Sequence, residues 1–255
     1  MPLPNNGLNQ ASETPPIQVA LEPAYNNFHN LILLARSDNA YGLSDWIYNS
    51  EAGLSTELRQ NNKVVIEGFF FIIKPDRSWH SFTAYVDHLA SQDPFEMRSK
   101  LLEAYAHKIW HLKEQAPADD VDLEVVMASL DNYLEFLRGR FPAENVIVEV
   151  ETVAYELLKD PPKMQDFIVS HMRSMWKQVL SAEWKRVEAM LQESVNAFKQ
   201  LNLENYSKLE AMKLVLDDNM TDDQKWIGTL SHAERIIFVP SAHVGPYNQV
   251  YLEHG

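Results

Sequence analysis

The chain has 255 residues, enough for one large domain or two small ones with a sizeable core. It carries 36 acidic against 22 basic side chains, a formal net charge of −14, and no cysteine. That excludes disulfides, thiolate metal sites and cysteine nucleophiles, and it argues against direct nucleic-acid binding, which needs a basic footprint.

Residues 1–16, MPLPNNGLNQASETPP, lack the basic and apolar regions of a secretory signal and are expected to form a disordered leader. No apolar run reaches the ~18 residues that span a membrane. The longest, VVIEGFFFII, is interrupted by Glu67. A cytoplasmic protein with no membrane partner is the expectation.

IQVAL (17–21) alternates and is β-branched, as a short strand requires. A helix is expected over about 25–36, where Phe28, Leu31, Ile32 and Leu34 recur at helical spacing. Ser44 is placed to cap a second helix through DWIYNS. A third helix is expected from about 55 to Lys74, stopped by Pro75. PDRSWHSF then enters a helix on which Phe82, Tyr85, Val86 and Leu89 share a face. At Asp93–Glu96 (DPFE), an N-cap, a first-turn proline and a capping-box glutamate start a helix expected to reach Trp110.

Two helices are expected at 121–138 and 144–159, separated by FPAEN. Between Asp119 and Asp160 stand eleven acids against three bases, read as solvated helix faces. Met164–Leu201 is the longest periodic segment, about 55 Å if unbroken. Ser181 marks a kink, and the segment reads as a domain spine or a dimer seam. Capping boxes at Thr221/Gln224 and Ser231/Glu234 precede the strand RIIFVP. A turn over 241–246 and a second strand at Gln249–Leu252 would complete a hairpin. The expected fold is α+β and predominantly α-helical. One domain covers 17–255, and its small sheet is built from the N-terminal strand and the C-terminal hairpin.

No P-loop, GxGxxG or GxSxG is present, and with 8 glycines phosphate-cradling loops are scarce. His107 and His111 have the four-residue spacing of helical zinc ligands, but Lys108 stands where zinc proteases place glutamate. They read as two ordinary histidines on an amphipathic helix. Asp87 and His88 are adjacent and diverge on a helix. No cofactor and no metal are expected.

Three stretches are dense in side chains suited to a small organic ligand. PAYNNFHNLI offers Tyr25 and His29, PDRSWHSF offers Arg77, Trp79 and His80, and PSAHVGPY offers His243 and Tyr247. The aromatics would stack, Arg77 would pair an anionic group, and His243 or Tyr247 would donate hydrogen bonds. Each stretch also has a plainer reading: a buried helix, a helix-entry loop anchored by Trp79, and turn chemistry.

Taken together, VALEPAYNNFHNLILLA, GLSDWI, PDRSWHSFTAYVDHLASQDPFEMRSKLL and ERIIFVPSAHVGPYNQVY resemble the N-terminal region of a group of bacterial ArsR-type winged-helix transcriptional regulators. The resemblance spans roughly 18–252. It implies a sensor or dimerisation region, a homodimer, and DNA contact only through a winged helix. No winged helix follows the hairpin here, so a fragment or a headless relative is expected. The leading expectation is a non-catalytic effector region. The alternatives are a purely structural dimerisation module and an enzyme of unidentified class with His80 or His243 as general base.

Overall fold

A computed structural model of the chain describes residues 16–107, 121–216 and 233–245. The fold is α+β and mostly helical, with one two-stranded parallel sheet among the described residues. Within the span read from the sequence as a single domain, there are two compact units. One comprises Glu22–Val187 with Ser241–Gly255, the other Met1–Leu21 with Glu188–Pro240. Leader residues 1–15, the helix end at 108–110, His111, Thr221, Gln224, Ser231, Tyr247 and the strand at Gln249–Leu252 lie outside the described residues.

In the second unit, β1 (Ile17–Val19) pairs in parallel with β2 (Ile236–Phe238), Ile17 opposite Ile236 and Val19 opposite Phe238. The ladder is extended by the Ile236 N–H donating to Pro16 O (2.8 Å) and the Ala20 N–H donating to Phe238 O (3.0 Å). The alternation of IQV buries Ile17 and Val19 in a cluster with Val195, Leu203 and Ala211. The adjoining helix α12 (Lys208–Val215) begins with a complete Ser207/Glu210 capping box.

The first unit is helical. Its elements are α1 (Pro23–Arg36), α2 (Asp45–Gly53), α3 (Thr56–Gly68), α4 (Phe70–Ile73), α5 (Phe82–Ser91), α6 (Pro94–His107), α7 (Leu123–Met127), α8 (Leu130–Arg138), α9 (Val148–Leu158), α10 (Pro161–Met175) and the start of α11 (Ser181–Lys199). α1 is buried along nearly its whole length and packs on α2, α3 and α5. Local chemistry sets the helix starts. Ser81 Oγ accepts from the Ala84 N–H, Asp93 Oδ1 from Phe95 and Glu96, and Asp160 Oδ1 from Lys163.

Three expected helices are shorter than their periodicity suggests. The run from 55 to 74 breaks after Gly68. There the Ile72 N–H turns to Phe69 O, and Gly68 O accepts the Tyr105 hydroxyl at 2.8 Å instead. Gly68 is required at this point, because a Cβ on it would lie 2.8 Å from Ala154 Cβ on α9. The run 121–138 divides where Ser129 caps a fresh helix through the Asn132 N–H, while Met127 O accepts the Tyr155 hydroxyl. The run 144–159 opens with a 3₁₀ turn at Ala143–Asn145 and becomes α-helical only from Val148.

The long segment from 164 changes to a π-helical turn at Trp176–Leu180 and resumes at Ser181. Met164, Ile168, Met172, Met175 and Leu180 are fully buried in the unit's own core, which favours a spine over a seam for this half. Among the described residues, no helix is long and apolar enough to cross a membrane.

Glu151 on α9 lies inside this core at 4 % exposure. Its Oε2 accepts the Tyr133 hydroxyl at 3.0 Å. Burial raises its carboxyl to about 7 from 4.5; the Tyr133 bond offsets part of that rise, and the Glu67 carboxylate adds to it. The folded state therefore holds this proton more tightly than the unfolded chain. The stability it confers is complete below pH ~4.5 and is lost as pH rises through about 7. By pH ~8 that loss is about 3 kcal/mol. Glu151→Gln keeps an acceptor for Tyr133 without a charge. It is expected to stabilise the protein by about that amount at pH ~8 and to be near neutral at pH ~4.5, as read by urea unfolding. Equal effects at both pH values would contradict a buried, proton-holding carboxyl.

Candidate functional site

The turn that carries His243 is built from two glycine backbones in close approach. Gly42 has φ 75° and Gly245 φ 60°, both left-handed. A Cβ on Gly245 would lie 2.1 Å from Gly42 O. This approach seats the His243 ring at the start of α2, where it is 2 % exposed and stacks on Trp46 with centroids 4.5 Å apart and planes at 29°.

Both imidazole nitrogens have polar neighbours from distant parts of the chain. Nδ1 lies 2.8 Å from Ser44 Oγ. Nε2 lies 3.0 Å from Glu183 Oε1, an ion-pair contact whose alignment falls short of a hydrogen bond. Glu183 is itself buried and is gripped by Arg186 through Nε (2.8 Å) and Nη2. Burial lowers the His243 pKa; the Glu183 carboxylate pulls it back up, and the Arg186 guanidinium pushes it down again. In the tautomer with hydrogen on Nε2, Nδ1 accepts the Ser44 hydroxyl proton.

This geometry corrects the role expected for Ser44. The residue occupies the N-cap position of α2, but its hydroxyl makes no cap hydrogen bond. It is turned to His243 instead.

The loop between α4 and α5 brings Arg77 and Trp79 together. The Arg77 guanidinium lies 4.3 Å above the Trp79 ring, which in turn lies 4.7 Å from the His88 ring and 6.0 Å from that of Tyr85. Ser78 Oγ donates to Glu22 Oε1 at 2.6 Å and ties the loop to the head of α1. Trp79 Nε1 is buried with no hydrogen-bond partner. A cleft of about 170 Å³ opens beside this stack, lined in part by Lys74, Asp76, His88 and Lys100.

The other expected site residues are placed differently. Tyr25 and His29 lie one turn apart on α1 and are both buried. Burial lowers His29 to about 4, so it is neutral at pH ~7. His80 is exposed. Tyr247 lies outside the described residues.

Sequence reasoning missed Trp46, Glu183 and Arg186 as partners of His243, and His88 and Lys100 as walls of the cleft. Ser44 and His243 are 199 positions apart, beyond any local pattern. Among the described residues, no group of three or more His, Asp or Glu side chains is arranged to hold a metal ion. No family model, curated protein or solved structure matches this chain. None of these comparisons links the chain to ArsR-type regulators.

Proposed function

We propose that the chain is the regulatory region of a bacterial cytoplasmic transcriptional regulator. In this reading it binds a small organic ligand, performs no catalysis, acts as a homodimer, and works with a separate DNA-binding winged helix. The net charge of −14 supports leaving DNA contact to another unit. The observation that carries the reading is the seating of His243. One short segment, 241–245, is held to the head of α2 by Ser44 and Trp46 and to α11 by Glu183. A shift of α2 changes the Ser44 and Trp46 contacts and a shift of α11 the Glu183 contact, so the segment can report a change elsewhere in the unit as docked or undocked.

Hydrogen exchange tests this directly. Amides of 241–245 are expected to be protected in the wild type and to exchange freely in His243→Ala, with α1, α3 and α10 unchanged. Equal, fast exchange of 241–245 in both proteins would remove the docked state and the proposal with it. In a regulator carrying its DNA-binding unit, an effector response untouched by both His243→Ala and Arg77→Ala would remove the site assignment.

One observation favours a second reading. Ser44 Oγ, the His243 ring and the Glu183 carboxylate stand in the hydroxyl–imidazole–carboxylate order of nucleophilic hydrolases, with Ser44 at a helix N-terminus. A fluorophosphonate probe distinguishes the two. Labelling at Ser44 that His243→Ala abolishes would put the enzyme reading first; an unlabelled Ser44 keeps the regulatory one.

A further inference from the structure

We infer that the outer edge of β1 is a docking site for an extended peptide segment of a partner protein, which joins the sheet as a third, antiparallel strand. The edge belongs to the unit that carries none of the His243 contacts, so the inference does not depend on the function proposed above.

The hydrogen-bond ladder leaves that edge unpaired. With Ile17 opposite Ile236 and Val19 opposite Phe238 in a parallel pair, the ladder draws on every second residue of β1. The Ile236 N–H donates to Pro16 O and the Ala20 N–H to Phe238 O, so Pro16, Gln18 and Ala20 face β2. The N–H and C=O of Ile17 and of Val19 point the other way. Among the described residues none of these four groups has a backbone partner. Natural edges are guarded by proline, charge or a bulge. The outer edge of β2 offers only Ile237, between Arg235 and Pro240, whereas Ile17–Val19 contains neither a charge nor a proline.

A cleft of about 300 Å³ runs along β1, lined by the strand and by Phe198, Lys199, Leu203 and Glu204. The end of α11 builds its other side. Asn202 takes a left-handed φ of 49° and turns the chain, which brings Leu203 into one apolar cluster with Ile17 and Val19. Phe198 is half-buried against the same cluster. The cleft therefore has an apolar floor beside a row of unpaired main-chain groups.

These features select the partner. Two donors and two acceptors at strand spacing are matched by another extended polypeptide backbone. In an antiparallel addition, the two partner residues opposite Ile17 and Val19 each exchange both bonds with β1. Their side chains fall on the face that Ile17 and Val19 share, toward Phe198 and Leu203, and are apolar. The residue between them stands beside Gln18 and is polar. Lys199 and Glu204 are both exposed and make no ion pair among the described residues. They select one charge of each sign flanking the apolar pair. A second copy does not supply this pattern, because its own β1 is flanked by Pro16 and Ala20 and carries no charge.

The test uses the 255-residue chain and the pentapeptide Lys-Val-Thr-Val-Glu, acetylated and amidated at its ends. At millimolar concentration the peptide is expected to shift the Ile17 and Val19 amide signals in NMR spectra and to slow their exchange. The amides of Gln18 and Ala20, already turned to β2, change little. Val19→Pro removes an edge donor that the ladder does not use, so β1 stays paired with β2 and peptide binding is lost. N-methylation of both peptide valines is expected to abolish binding with the protein untouched, and N-methylation of the threonine to leave it. Lys199→Gln is expected to weaken binding about threefold, the loss of one exposed ion pair. Silent Ile17 and Val19 amides, binding that survives methylation of both valines, or equal affinity for Lys199→Gln would overturn the docking site or its partner chemistry. A chain that is dimeric, and that Val19→Pro makes monomeric, has a second copy on this edge and overturns the peptide partner.

Discussion

Acidification from pH ~7 to ~4 is expected to withdraw about 6 kcal/mol of stability from the helical unit through two histidines, His29 and His171. Burial holds each at about 4, against 6.5 in the unfolded chain. His171 shows why. Its Nε2 faces Asn62 Oδ1 at 3.2 Å, and Asn62 Nδ2 is already committed to Leu31 O at 2.9 Å. Its Nδ1 is buried with no partner, so a second proton would bring an unsolvated charge into the core.

Because the folded pKa values are depressed, the stability from these groups is fully present above pH ~6.5 and is lost as pH falls through about 4. Each contributes about 3 kcal/mol over that window. Glu151 works in the opposite sense and returns about 3 kcal/mol as it takes up its proton. The wild type is therefore expected to lose a net ~3 kcal/mol, Glu151→Gln about 6, and His171→Gln close to nothing. Urea unfolding of the three proteins at closely spaced pH values reads these numbers. Parallel profiles would mean that the buried histidines do not titrate with folding.

What could be read in the sequence is what is decided within a few residues. Asp93 caps the helix that its spacing announces, because a carboxylate reaches only the amides two or three positions ahead. α1 is legible because its apolar residues recur at helical spacing, although Pro23 opens it two residues before the expected start. The break at Gly68 is not legible, because it is decided by Tyr105 and Ala154, 37 and 86 positions away. The strands show the same division. Each was visible as a β-branched run, yet their parallel pairing joins position 17 to 236 and no local pattern specifies it.

The candidate site follows that rule. Trp79 and Arg77 are neighbours in the sequence, and the structure stacks them. His243 was singled out for its dense surroundings, but its partners Ser44, Trp46 and Glu183 lie on two separate helices. Ser44 looked like a cap because its position is a cap position. Only the arrival of an imidazole from far along the chain takes its hydroxyl away.

Gly245→Ala is expected to undock 241–245 and leave the rest of the helical unit folded. An alanine at φ 60° carries the left-handed penalty of about 1–2 kcal/mol. Its Cβ would also lie 2.1 Å from Gly42 O, 2.9 Å from Gly42 C and 3.3 Å from Leu43 N. These are backbone atoms and cannot swing aside as a side-chain end would. Against that stand one ring stack worth about 1 kcal/mol and the contacts of a single imidazole. The overlap outweighs them, so the segment leaves. Ser44, released from His243, is then free to cap α2, which returns about 1 kcal/mol. The variant should therefore lose amide protection only at 241–245, and the His243 pKa should rise toward its ordinary value once burial no longer depresses it. NMR titration of the His243 ring and hydrogen exchange read both effects. If the variant keeps the depressed His243 and a protected segment, the close approach at Gly42 is not what seats the imidazole, and a docked reporter segment has lost its physical basis.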